Sequence, residues 1–97
     1  MTKPSAALQA HRADIRRIVA ANHAVNARVF GSVARGEDHD DSDLDVLVDA
    51  LPGATLLDLG AIQVELEEIL GVSVDVLTPQ DLPQKFRGEV LAEAVPV

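Results

Sequence analysis

Three carboxylates and one glycine turn are the residues in this sequence whose types and spacing could do chemistry. Asp43 and Asp45 stand two apart in Ser42-Asp43-Leu44-Asp45-Val46. On an extended strand that spacing puts both side chains on one face. Unit charges about 4 Å apart repel by roughly 4 kcal/mol at an effective dielectric near 20. Such a pair calls for a cation or for full solvation. Mg2+ takes oxygen ligands and commonly bridges carboxylates to substrate phosphates, and Mn2+ accepts the same donors. The bland alternative is that the pair belongs to the acidic loop holding Asp38, Asp40 and Asp41, which are read as solvated.

Asp75 lies inside Val72-Ser73-Val74-Asp75-Val76-Leu77, an otherwise apolar run. A carboxylate buried there without a partner would cost several kcal/mol. A metal would relieve that cost, and so would exposure on an open sheet face. The turn is Gly31-Ser32-Val33-Ala34-Arg35-Gly36. Gly31 lets the backbone bend and lets a phosphate approach it. If a helix starts after it, free N–H groups and the positive dipole end face that phosphate. The Ser32 hydroxyl adds a hydrogen bond, and Arg35 can add a charge-assisted one or pair with an acidic neighbour to fix the turn. Alone, Gly-Ser is more often just a turn. Three carboxylates on neighbouring strands beside such a turn form a candidate two-metal phosphoryl-transfer site.

The elements that must position these residues follow from periodicity. Leu8, Ile15, Ile18 and Val19 predict one helix from Pro4 to about Asn22, with Arg12, Arg16 and Arg17 on a solvated face. A strand is expected from about Ala27 to Phe30, then the tight turn and a short helix to Gly36. Glu37 to Ser42 reads as an acidic loop, and Asp43 to Asp49 as a strand of period two broken by Leu51-Pro52-Gly53. Thr55, with Asp58 three residues on, caps the clearest helix. Its stripe is Leu56, Leu59, Ile62, Leu66, Ile69 and Leu70, and Gly71 ends it. Val72 to Leu77 is a further strand, Thr78-Pro79 opens a short turn through Leu82, and Pro83 to about Ala94 is a last helix. Alternating strands and helices predict an α/β layer with at least part of the sheet parallel.

Composition narrows the function. The 97 residues suit one domain, 1–97, with 47% apolar residues for a modest core. Phe30 and Phe86 are the only aromatics, so no base-stacking platform exists. Sixteen acidic against 8 basic residues give a formal charge of −8, which disfavours direct contact with nucleic acid. The absence of cysteine excludes disulfides and thiolate metal sites and fits a reducing cytosol. Neither a signal-peptide layout at Met1 to Ala10 nor a membrane-spanning apolar run is present. A cytoplasmic protein is expected. His11, His23 and His39 are dispersed and form no ligand cluster. His11 reads as structural, and Lys85 and Arg87 as part of a solvated face.

The combined pattern, Gly31-Ser32…Ala34-Arg35-Gly36…Ser42-Asp43-Leu44-Asp45…Asp75, resembles the signature of the minimal nucleotidyltransferases of the DNA polymerase β superfamily. The resemblance covers about Ala27 to Leu77. It implies an α/β (α+β) fold, a small mixed sheet with helices packed mainly on one face. It implies that Gly31 and Ser32 hold the β- and γ-phosphates of ATP, with Arg35 nearby. Asp43 and Asp45 would bind two Mg2+ ions, with Asp75 sharing one and helping to deprotonate the attacking hydroxyl. Small members of this kind resemble the antitoxin half of a pair whose toxin is a HEPN-domain ribonuclease. The implied activity is AMP transfer to a tyrosine of that toxin, within a hetero-oligomer. The chain leaves little room for an acceptor domain, so the acceptor surface is expected on another molecule. A net charge of −8 is compatible with a basic partner. Two other readings are a non-catalytic antitoxin acting by contact and a transferase acting on a small molecule.

Overall fold

The computed structural model describes residues 2–97. In chain order the elements are α1 (Pro4–Ala10), α2 (Arg12–Ala21), β1 (Ala24–Phe30), α3 (Gly31–Ala34), β2 (Leu44–Ala50), α4 (Leu56–Leu70) and β3 (Val74–Leu77). A 3-10 turn at Pro79–Asp81, α5 (Gln84–Glu93) and β4 (Val95–Pro96) complete the fold. The four strands form one sheet in the order β3-β2-β1-β4. β1 runs antiparallel to both β2 and β4, while β2 and β3 are parallel. The expected mixed sheet is thus present.

β2 is the central element, and its alternation divides the molecule. Leu44, Val46 and Val48 are fully buried against α1, α2 and α4, with Ile15, Val19, Ile62, Leu66, Val29 and Val74 in the same core. The other face carries a smaller cluster of Phe30, Leu47 and Leu82, against which Leu77, Val90 and Ala94 pack. Helices therefore cover mainly one face, and α5 alone lies on the other side of the sheet, at this small cluster.

Local signals in the sequence act as expected in α4. The Thr55 hydroxyl accepts from the Asp58 N–H, and the Asp58 carboxylate accepts from the Thr55 N–H at 2.9 Å. Gly71, at φ 70°, ends the helix in the left-handed conformation. Leu56 departs from the expected buried stripe: it and Leu57 are 82% and 85% exposed at the first turn.

Four further expectations are corrected. The single N-terminal helix breaks at His11, whose N–H donates to the Leu8 carbonyl while its own carbonyl starts α2. The break lets Pro4, Ala7 and Leu8 reach the core on a separate axis from Ile15, Ile18 and Val19. β1 begins three residues earlier than expected, because a bulge between Val25 and Arg28 interrupts its alternation, with Asn26 at φ 58°. β3 starts only at Val74, whose N–H donates to Glu67 of α4 at 3.0 Å. After α5 the chain forms β4, which pairs Val95 with Val29 and Pro96 with Arg28. Proline is tolerated there because β4 is an edge strand. Arg12 and Arg16 keep to the solvent side, as expected, and donate from there to the carbonyls of Pro96 and Val97 at 3.3 and 3.1 Å.

Candidate active site

The predicted residues come together at one end of the sheet, on the face opposite the large core. Asp45 pairs in register with Phe30 on one side and with Asp75 on the other. Asp75 is thus the lateral neighbour of Asp45, and Asp43 precedes Asp45 on the same face. Gly31 follows Phe30 directly, so the glycine turn stands beside the same row. Its φ is +71°, and a Cβ built on it would overlap Asp45 Oδ2 and lie 3.3 Å from Asp45 Cγ. Position 31 requires glycine on both counts, conformation and space.

The three carboxylates differ in environment. Asp43 and Asp75 are exposed, whereas Asp45 is half-buried. Exposure on the open face therefore resolves the alternatives for Asp75: Val74 and Val76 point into the core, and the carboxylate does not. Asp45 carries the electrostatic load instead. Its carboxyl is pushed up from 3.8 to about 6, first by burial, then by the charges of Asp75 and Asp43 and by hydrogen bonding to Asp75. Arg35 opposes that shift only weakly, as the last of these influences.

The donor set fits a divalent cation. All three groups supply hard oxygen ligands from adjacent strands, and the central one is ionised only at a cost that a cation would remove. Among the described residues, no three carboxylate or imidazole groups already stand close enough to close around an ion. A cation would draw the exposed Asp43 and Asp75 in toward Asp45.

The turn itself is held by hydrogen bonds. α3 starts at Gly31, and helix geometry leaves its first amides without intrahelical acceptors. The Gly31 N–H donates to Glu93 Oε1 at 2.8 Å, across 62 residues of sequence. Arg35 donates from Nε to Glu37 at 3.0 Å and from Nη1 to Glu93 at 3.2 Å. Of the two roles open to Arg35, the structure displays the pairing one. Its guanidinium pKa is raised, chiefly by the bond to Glu37. Ser32 sits between the glycine and buried Val33, at the start of α3.

Two acidic residues at this end have contacts that the sequence reading does not assign. Glu93 has no local signal, since its partners lie in another part of the chain. Asp38, expected among the solvated loop residues, is buried and accepts from the Ser5 N–H at 2.9 Å. Burial alone would raise its carboxyl, but the Ser5 N–H and hydroxyl, its own amide and nearby Lys3 hold it below the usual range. Asp38 thereby ties α1 to the loop that joins the two halves of the site. Asp40 and Asp41 are exposed, as expected. Among the histidines, His11 contacts Asp14 at 3.0 Å, a structural role at the helix break, and His39 is exposed with its N–H on the Ser42 hydroxyl at 2.8 Å. Arg87 is partly enclosed, donating to the Leu82 carbonyl at 3.1 Å.

Comparison with known proteins gives the family. Residues 12–97 match the family model described as "Nucleotidyltransferase domain". A relative from Methanocaldococcus jannaschii, named "Putative protein adenylyltransferase MJ0435", is 46% identical over 71 residues, 73% of this chain and 76% of its own. Protein adenylyltransferase MntA of Thermococcus cleftensis is 40% identical over 67 residues, 69% of this chain and 68% of its own. A solved structure described as a "putative minimal nucleotidyltransferase" is similar with a TM-score of 0.84 at 47% identity, over 93% of this chain and 92% of that one. A chain in a toxin–antitoxin crystal structure with AMP-PNP shares the fold, with a TM-score of 0.73 at 20% identity over 87% of this chain and 69% of that one.

Proposed function

This chain belongs to the nucleotidyltransferase domain family, and from that premise we propose that it transfers AMP from ATP to a hydroxyl of a partner protein. The observation that carries the reading is the row formed by Gly31, Asp45 and Asp75. A glycine turn faces a half-buried carboxylate whose in-register neighbour is a second, exposed carboxylate. The relatives named protein adenylyltransferase or putative protein adenylyltransferase support the choice of AMP and of a protein acceptor.

In this reading the Gly31-Ser32 turn holds the β- and γ-phosphates, through the Ser32 hydroxyl and the amides of α3 that follow Gly31. Asp43, Asp45 and Asp75 would hold two Mg2+ ions, which supply charge neutralisation at the phosphates and at the attacking oxygen. The acceptor hydroxyl attacks the α-phosphorus, and the bond from that phosphorus to the pyrophosphate oxygen breaks. Asp75, exposed at the edge of the row, takes the hydroxyl proton in this reading. Asp45 stays between the turn and Asp75 and fixes the distance between donor and acceptor. Among the described residues no helix is long and apolar enough to cross a membrane.

The acceptor assigned to this activity is a tyrosine of a HEPN-type ribonuclease toxin, with the present chain as its antitoxin. Incubating the protein with ATP, Mg2+ and the product of the adjacent reading frame tests this directly by intact mass. The expected result is a gain in whole units of AMP on that product. An unchanged mass would sink the acceptor assignment. The double variant Asp43→Ala, Asp45→Ala separates catalysis from contact: it should transfer nothing and fail to protect cells. Full protection by the double variant would favour neutralisation by binding.

A further inference from the structure

The anion seated at the glycine turn comes from the chain itself. Glu93, at the last turn of α5, places Oε1 2.8 Å from the Gly31 nitrogen and 3.2 Å from Arg35 Nη1, with Oε2 3.4 Å from the same guanidinium nitrogen. The carboxylate is only 31% exposed. Gly31 is thus fixed from two sides, with Asp45 against its Cα and Glu93 on its N–H.

This carboxylate is anchored along its own chain. Val90 and Ala94 of the same stretch pack on the small cluster that includes Phe30, the residue just before the turn. Two residues after Glu93 the chain is already paired in β4, Val95 with Val29, and the Val97 N–H donates to the Ala27 carbonyl at 2.9 Å. Apolar contacts before Glu93 and sheet pairing after it fix its backbone beside the turn, so its carboxylate leaves Gly31 only by a change of side-chain rotamer. Arg35 is likewise spanned between Glu93 and Glu37. With its guanidinium shared between two carboxylates, it braces the turn.

We propose that Glu93 is a positioning residue for the donor nucleotide. Through the Gly31 N–H and Arg35, it holds Ser32 and the free amides of α3 at a fixed distance from Asp45, where a triphosphate spans the two. This rests on the nucleotidyl-transfer reading above. The Gly31 amide is then a structural donor, and the phosphates are bound by the groups after it. A carboxylate that merely filled an empty phosphate seat would behave in the opposite way, since removing it would strengthen binding.

The experiment compares wild type, Glu93→Ala and Glu93→Gln as full chains. It reads the affinity for ATP with Mg2+ by calorimetry, amide hydrogen exchange at Gly31 by NMR, and the melting temperature. Glu93→Ala should weaken ATP binding about tenfold, the equivalent of roughly one charge-assisted hydrogen bond, and should speed exchange at Gly31 while the amides of β2 stay protected. Glu93→Gln, which keeps an acceptor for Gly31 but not the charge on Arg35, should fall between. Equal or tighter ATP binding by Glu93→Ala overturns the proposal, the tighter case marking Glu93 as a competitor. Equal losses of melting temperature in both variants, with ATP affinity unchanged, overturn it in favour of a purely structural role. Unchanged exchange at Gly31 removes the clamp whatever ATP does. If wild type itself binds no ATP, the proposed function falls and the nucleotide half of this inference with it, while the exchange result still decides the clamp.

Discussion

Replacing Asp45 with Asn should make the protein more stable while removing its chemistry. The Asp45 carboxyl is held up from 3.8 to about 6, first by burial and then by Asp75 and Asp43. Between those two pH values the folded state keeps a proton that the unfolded chain has released. The stability contributed by that proton is complete below the unfolded value and is lost as pH rises through about 6. A shift of about two units corresponds to roughly 3 kcal/mol between the two ends of the titration. Partial solvent access trims this, so about 2–3 kcal/mol is the working figure. An asparagine of the same shape carries no charge, and its amide can donate to Asp75.

In the absence of divalent cations, Asp45→Asn should therefore melt on the order of 10 °C higher than wild type at about pH 8. At about pH 4, where wild type is itself protonated, the difference should nearly vanish. Added Mg2+ should narrow the difference at high pH, because an ion that binds only the native wild type stabilises it by mass action. Thermal melts followed by circular dichroism, with chelator and then with Mg2+, make the comparison. A variant that melts no higher than wild type at about pH 8, or one whose gain is the same at both pH values, would refute the reasoning that Asp45 stores the electrostatic cost of the site.

Two other substitutions separate space from conformation and test the loop anchor. Gly31→Ala should cost at least about 2 kcal/mol in urea unfolding, from the left-handed backbone plus the overlap with Asp45, whereas Gly36→Ala, at the same φ of +71° with nothing within 4 Å, should cost only about 1 kcal/mol. Equal costs would remove the argument that Gly31 is required by Asp45. Asp38→Ala leaves the Ser5 N–H without its acceptor and should cost about 1–2 kcal/mol at neutral pH. Because the Asp38 carboxyl is held below its usual range, that loss should fade as pH falls through the carboxylate range, which denaturation at several pH values will show.

The carboxylates could be read from the sequence because strand geometry is regular. A spacing of two puts Asp43 and Asp45 on one face, and a parallel neighbour brings Asp75 alongside. The apolar neighbours of Asp75 were a less direct guide. They point away from it on a pleated strand, so the charge that is half-buried turned out to be Asp45, on the central strand. The contacts that the sequence concealed are polar and distant: Glu93 to Gly31 across 62 residues and Asp38 to Ser5 across 33. Nothing in the local pattern of Leu91-Ala92-Glu93-Ala94 or Glu37-Asp38-His39 distinguishes a carboxylate with such a partner from a solvated one. β4 was hidden for a related reason, since two residues on an edge leave no periodicity to detect.

The register of β2 ties stability to chemistry in this fold. Its odd positions carry Asp43, Asp45, Leu47 and Asp49, and its even positions carry Leu44, Val46 and Val48, all three fully buried. A slip of one residue would drive carboxylates into the core, so the large core alone fixes which face is acidic. The face is not left open along its length. Leu47 is capped by Leu82 and the α5 contacts, and Asp49 is paired with Arg28 at 2.6 Å beside the β1 bulge. Among the described residues, Asp43, Asp45 and Asp75 form no salt bridge, and the charge of Arg35 relieves Asp45 only weakly. The sheet thus neutralises or covers acidic groups wherever it can and leaves the cluster uncompensated at the glycine turn, where a bound cation and a triphosphate could complete it.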